Sequence, residues 1–121
     1  MNTADRVFGW LLVIGAALHA YGSIIGYQSD PETLLWSLSG SLAALLLASL
    51  NLLRVVRPGD RTLAWLCLAG NLAWIAIALG FGVVIGNVFD PRALIHAINA
   101  LVLAGFSVRS ARVPGGARSA A

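Results

Sequence analysis

Charged residues divide the chain into four long apolar segments. All of the charges come from arginine, aspartate and glutamate, and they fall into short clusters. The charge-free stretches between the clusters are 7–29, 33–53, 62–89 and 93–108. An uncharged apolar stretch of about 18 or more residues is long enough to cross a bilayer as a helix. The last stretch is slightly shorter, but its flanking residues can extend the helix. The pattern predicts an all-α integral membrane protein with four transmembrane helices.

Composition supports one small membrane unit. The chain has 121 residues, of which 59% are hydrophobic, so there is no room for a separate soluble domain. We expect a single four-helix domain over 1–112 and a flexible cytoplasmic tail over 113–121. The net charge of +3 arises from arginines that flank the apolar segments, where they act as topology signals. The lipid bilayer is therefore the expected partner, and nucleic acid is not.

The distribution of arginines predicts the orientation. Seven of them fall on one side of the predicted helices and only Arg92 falls on the other. Because positive residues accumulate in cytoplasmic loops, both termini and the middle loop are expected in the cytoplasm. The first apolar segment is too long for a typical signal-peptide core and lacks a good cleavage site, so it is expected to be retained. The predicted location is the cell inner (plasma) membrane, with several passes.

The two halves of the chain resemble each other. The segment GSIIGYQSDPETLL (22–35) corresponds to GVVIGNVFDPRALI (82–95), and Asp5-Arg6 corresponds to Asp60-Arg61. Two helical hairpins, over about 5–57 and 60–112, would then form a parallel repeat related by an axis along the membrane normal. Convergence is the alternative, because Asp-Pro starts helices well and arginine marks any cytoplasmic flank.

The acidic residues are expected at helix starts rather than in the membrane core. Asp30-Pro31 and Asp90-Pro91 have the pattern of an N-cap aspartate before a proline in the first helical turn. Asp5 and Asp60 lie where the first and third helices should begin. No carboxylate is then left within the core, which argues against a proton antiporter built on a buried glutamate and against a di-iron carboxylate site.

Polar residues on the predicted helix faces converge at one depth. At a rise of 1.5 Å per residue, both histidines lie roughly 10 Å below the outer end of the bundle. Two serines and an asparagine lie in the same outer half, so a ligand or ion pocket is predicted from these five residues: His19, Ser37, Ser41, His96 and Asn99. Asn71 and Trp74 are candidates for additional lining. A membrane-buried ionisable residue indicates function, although each histidine could instead be a neutral packing residue.

Three functional interpretations remain open. The first is a small protein, expected to be a homo-oligomer, that binds or transports a small solute or cation through this pocket. The second is an accessory or assembly subunit of a larger membrane complex. The third is a bis-histidine haem b or metal-binding protein, with His19 and His96 as metal ligands. Cys67 lies too far toward the cytoplasm to join that site. Enzyme activity is not expected, because no nucleophile–base pair is evident.

Overall fold

The computed structural model describes residues 3–112 as four helices. These are α1 (Thr3–Gly26), α2 (Pro31–Val56), α3 (Arg61–Val84) and α4 (Pro91–Arg112). All four are long and apolar enough to cross a membrane by length and composition, which confirms that part of the prediction. The described residues contain no strand. The predicted tail over 113–121 lies outside them.

Aspartates define three of the helix starts, as the sequence predicts. The Asp30 carboxylate accepts a hydrogen bond of 3.1 Å from the backbone N–H of Thr33, and Pro31 occupies the first turn of α2. Asp60 caps α3 in the same way, accepting from the Leu63 N–H at 2.9 Å. At the start of α4, the Asp90 carboxylate accepts from the backbone N–H and from the guanidinium of Arg92. These bonds satisfy donors that a helix start otherwise leaves unpaired.

Consecutive helices run antiparallel and close into a ring. Hydrogen bonds join Ser23 to Ser37 at one end of α1 and α2, and Asp5 to Arg54 at the other. Helices α1 and α2 form hairpin 1, and α3 and α4 form hairpin 2; α2 packs on α3, and α4 packs on α1. We call the end with Thr3, the 57–60 connection and Arg112 the terminal end. The opposite end, with the 27–30 and 85–90 connections, is the distal end.

Glycines let the helices approach closely at two positions. A Cβ atom placed on Gly9 would lie 2.7 Å from Leu52 Cδ2, and one placed on Gly70 would lie 2.7 Å from Leu47 Cδ1. Small residues at such contacts are typical of helix packing in lipid. Gly22 and Gly26 also have the spacing of a contact motif, but added Cβ atoms there would meet nothing within 4 Å. That face of α1 is unpartnered among the described residues.

An apolar layer lies halfway along the bundle. Its members are Leu12, Leu47, Ala48 and Leu103, all buried, with Trp74 and Phe106 packed against them. Toward the distal end, packing between the hairpins loosens, because no residue of α2 before Ser41 is buried. The layer therefore separates a tightly packed terminal half from a more open distal half.

Candidate functional site

The two histidines lie side by side in the distal half. The ring centroids of His19 on α1 and His96 on α4 are 6.5 Å apart, and the ring planes are nearly perpendicular at 89°. The side chain of His19 is exposed at the bundle surface, while His96 is half-buried. The structure thus brings together the two ionisable residues that the sequence placed at equal depth. Because they come from different hairpins, the pair spans the looser interface of the bundle.

Serines hold His19 from α2. The Nδ1 atom of His19 lies 2.7 Å from Ser41 Oγ, and the Ser41 hydroxyl also lies 3.3 Å from the backbone carbonyl of Ser37. On α1, the Ser23 hydroxyl donates to the His19 carbonyl at 2.7 Å, and Ser23 Oγ lies 2.6 Å from Ser37 Oγ. Of the predicted residues, Ser41 therefore contacts the His19 ring, and Ser37 contacts Ser41 and Ser23; Ser23 is a residue that the sequence did not single out.

Counting hydrogens gives these bonds a direction. A serine hydroxyl has one hydrogen. The Ser23 hydrogen donates to the His19 carbonyl, so Ser37 must donate to Ser23. If the Ser41 hydrogen donates to the Ser37 carbonyl, then His19 Nδ1–H donates to Ser41. This assignment satisfies all four contacts, while the reverse would leave the Ser41–Ser37 bond unmade. His19 then keeps a lone pair on Nε2.

A hydrogen bond from Trp74 gives His96 the opposite tautomer to His19. The indole Nε1–H of Trp74 donates to His96 Nδ1 at 3.4 Å, and the two rings lie 5.8 Å apart between centroids. An indole nitrogen only donates, so Nδ1 must accept and the neutral ring carries its proton on Nε2. On the other side, a Cβ atom added to Gly15 would lie only 3.0 Å from His96 Cε1. His96 is thus held between α1 and α3 with its Nε2–H available.

Two other predicted residues have partners away from the histidines. With its amide oriented so that both groups are satisfied, Asn99 donates to the Phe8 carbonyl at 3.3 Å and accepts from the Leu12 N–H at 3.2 Å. It thereby ties α4 to the backbone of α1. Asn71 forms two reciprocal hydrogen bonds with Asn51, at 3.1 and 3.2 Å, and both side chains are fully buried. Asn99 and Asn71 accordingly join helices rather than the histidine pair.

A second polar cluster at the terminal end centres on Arg54. Its guanidinium forms a bidentate ion pair with the Asp5 carboxylate, with N···O distances of 2.7 and 2.9 Å. Only 1% of the Arg54 side chain is exposed. It also donates to Asn51 Oδ1 at 3.4 Å and to Ser110 Oγ at 2.9 Å. One guanidinium therefore contacts three helices, and Asn51 extends the cluster to Asn71 on α3.

The sequence interpretation of Arg54 and Asp5 as a flanking charge and a helix start misses this pair. A signal was present nonetheless. The small and polar residues at positions 41, 44, 48 and 51 of α2 recur every three or four residues in the sequence, and Arg54 continues that stripe. The Arg54 Nε atom is buried without a hydrogen-bond partner in the described structure. Cys67, also fully buried, lies beside the cluster and is the free thiol of the chain.

The histidine pair is a poor fit to a metal. Residues 3–112 contain no group of three or more His, Cys, Asp or Glu side chains that could hold a metal ion. Zinc and copper sites in proteins usually have three or four such ligands. A metal or haem iron would also need a lone pair from His96, and the one on Nδ1 already accepts from Trp74. Ligation would require breaking that bond or moving the proton.

The described residues thus define a bundle of helices of membrane-spanning length, with an exposed histidine beside a half-buried one. Comparisons with protein-family models, curated proteins and solved structures found no match.

Proposed function

We propose that this chain is a small polytopic plasma-membrane protein that binds a small solute or cation in a pocket at the distal half, opening to the outer side of the membrane. The observation that carries the proposal is the His19–His96 pair, whose rings lie 6.5 Å apart across the interface between the hairpins. Neither Nε2 atom bonds to another of residues 3–112, and His19 is exposed. A binding site requires side chains that are fixed in position and still have atoms free to contact a ligand, and the two imidazole rings meet both conditions.

Binding is favoured over passage through a single bundle. On the terminal side of the histidines, Leu12 and Leu103 have no exposed surface. Beyond this apolar layer lies the Arg54 guanidinium, which is buried and paired with Asp5. Hydrophobic constrictions and a fixed arginine both oppose the movement of cations through membrane proteins. A ligand that reaches the histidines is therefore expected to leave by the way it entered.

Binding is tested with two histidine variants. The probes are acetamide, glycerol, methylammonium and Zn²⁺, titrated into detergent-solubilised protein while the unfolding temperature is followed. A ligand that binds only the folded state stabilises it by about 2.7 kcal/mol at one hundred times its Kd. At least one probe should raise the unfolding temperature of the wild type, and His19→Leu and His96→Leu should each abolish that response while keeping the helical content.

The matched control is Ser49→Ala, since Ser49 is exposed and bonds only to the Leu45 carbonyl of its own helix. This variant should respond to the probe as the wild type does. If no probe stabilises the wild type, or if both histidine variants respond fully, the pair has only a packing role and the proposal is wrong.

The orientation is tested separately by cysteine labelling. In a Cys67→Ala background, Gln28→Cys at the distal end should react with a membrane-impermeant maleimide added to intact cells. Arg57→Cys at the terminal end should react only after the cells are broken. The opposite pattern would place the histidines on the cytoplasmic side and contradict the proposed opening.

One observation favours a second candidate, the accessory subunit of a larger membrane complex. Gly22 and Gly26 lie one turn apart on α1 and face open space. Such a small-residue face suits close packing against another transmembrane helix, from a second copy or from a partner subunit. Cross-linking in native membranes distinguishes the two, because a second copy gives a dimer of this chain and a partner gives a mixed product.

A further inference from the structure

The hydrogen bonds around the histidine pair restrict which ligands it can recognise. We infer that the pocket takes a neutral ligand with a hydrogen-bond donor and an acceptor on adjacent atoms, as in a carboxamide, bridging His19 and His96. The inference rests on the proposed binding function and adds the chemical class of the ligand. It is supported by the directions of the hydrogen bonds at the two rings and by the charged side chains near them.

The two free nitrogens have opposite character. In the assignment that satisfies all four serine contacts, His19 donates through Nδ1 to Ser41, so its Nε2 presents a lone pair. His96 accepts through Nδ1 from Trp74, so its Nε2 presents a hydrogen. A pair of equal donors would select an anion, and a pair of equal acceptors would select a cation or a metal. One of each selects a group that donates to His19 and accepts from His96.

The separation of the rings suits a bridging group. A direct hydrogen bond joins nitrogens about 2.9 Å apart. A carboxamide has its nitrogen and oxygen about 2.2 Å apart, so with a hydrogen bond on each side it spans up to roughly 8 Å. The ring centroids are 6.5 Å apart, and no bond between the two imidazoles is present. The centroid distance lies within that reach, so a small group that contacts the edges of both rings could bond to both Nε2 atoms.

The electrostatic surroundings favour a neutral ligand. Arg92 lies one turn before His96 on α4. Its guanidinium is paired with the Asp90 carboxylate at 2.9 and 3.0 Å, so the two charges offset each other. None of the other described acidic residues is part of the hydrogen-bond network of the two rings. A ligand with a full charge would thus lack an opposite partner, which is costly away from water.

The first test measures the tautomers directly. Long-range ¹H–¹⁵N correlation spectra of histidine-labelled protein in detergent should show His19 protonated on Nδ1 and His96 on Nε2. Trp74→Phe removes the donor to His96 and should release His96 into a mixture of tautomers while leaving His19 unchanged. The control Trp36→Phe alters an exposed tryptophan and should change neither ring. A His19 proton on Nε2 would overturn the inference.

The second test uses acetamide as the probe. Titration should shift the Nε2 resonances of both histidines. N,N-dimethylacetamide keeps the acceptor but lacks the donor, so it should bind about tenfold more weakly, because His19 Nε2 is left unpaired. Pivalamide has added bulk at the other end of the molecule and keeps both groups; it should bind as acetamide does.

The outcomes separate this inference from the proposed function. Equal affinity for acetamide and N,N-dimethylacetamide would overturn the carboxamide inference. A response of both imidazoles to Zn²⁺ or methylammonium without a response to acetamide would also overturn it, while the proposed binding site would stand. No shift of either imidazole with any probe would contradict both.

Discussion

The two polar clusters of the bundle differ in how fully their groups are paired. At the terminal end, Arg54 is buried and four hydrogen bonds join its terminal nitrogens to Asp5, Asn51 and Ser110. At the distal end, His19 and His96 each keep an unbonded Nε2 at a half-open interface. Buried charges that are paired on several sides hold helices together. Imidazole rings that are held in place but keep an unbonded nitrogen are available to a ligand. The comparison supports a stabilising role for the terminal end and is consistent with the proposed binding site at the distal end.

The largest effect should come from removing the carboxylate of the terminal cluster. Asp5→Ala leaves the Arg54 charge buried without its partner, which should lower the free energy of unfolding by about 3–5 kcal/mol. Unfolding of detergent-solubilised protein by a denaturing detergent measures the change. The matched control is Asp60→Ala, which removes only a helix cap and should cost about 1 kcal/mol.

The double variant Asp5→Ala/Arg54→Met sharpens that test. It removes both charges, so most of the lost stability should return. If Asp5→Ala and Asp60→Ala lower the free energy of unfolding by the same small amount, the ion pair does not hold the terminal end together. The proposed difference between the two clusters is then wrong.

An intermediate effect is expected at Gly15. In Gly15→Ala the new methyl group would lie 3.0 Å from His96 Cε1, so the ring must move. The control Gly22→Ala meets nothing within 4 Å and gains only the better helix propensity of alanine, up to about 1 kcal/mol. Gly15→Ala should be less stable than Gly22→Ala by about 1 kcal/mol. It should also shift the His96 imidazole resonances, which Gly22→Ala should not do. Unshifted His96 resonances in Gly15→Ala would mean that α1 does not hold the ring.

The smallest effect concerns a helix start outside both clusters. The hydrogen bond from the Thr33 hydroxyl, with help from its backbone N–H, holds the pKa of Asp30 below its usual value. A lowered folded-state pKa contributes stability that is present above the unfolded value of about 3.9 and is lost as the pH falls through the folded value. Stability should therefore decline more steeply below pH 4 in the wild type than in Thr33→Val. Identical pH profiles would show that this bond does not contribute.

The sequence predicts the helices well because hydrocarbon imposes a simple rule. A bilayer accepts backbone polar groups only when a helix satisfies them, so each long uncharged stretch must form one. The aspartates at 30 and 60 mark helix starts for a local reason, since the capping bond needs only a carboxylate three residues before the N–H. What remains a prediction is the arrangement that no local rule fixes: the parallel repeat, the cytoplasmic termini and the homo-oligomer.

The candidate site is only partly predictable for a different reason. Rise per residue places His19 and His96 at one depth, but it does not give side-chain direction. The same rule places Asn99 near the histidines, whereas its amide bonds to the backbone of α1. Arg54 lies within one turn of the end of α2, where an arginine can extend outward to water or inward to a carboxylate. Only the packed bundle, which places Asp5 opposite, decides between these.

The position of the Arg54 contacts has a mechanical consequence. Because one guanidinium holds α1, α2 and α4, the hairpins are least able to separate there. His19 lies fourteen residues along α1 from Asp5, about 21 Å at the helical rise. Pivoting one hairpin by 5° about the fixed end would change the distance between the imidazoles by roughly 2 Å over that length. The distance between the rings is therefore sensitive to rotation of a hairpin, and under the proposed function small tilts of the helices would be enough for a ligand to enter or leave.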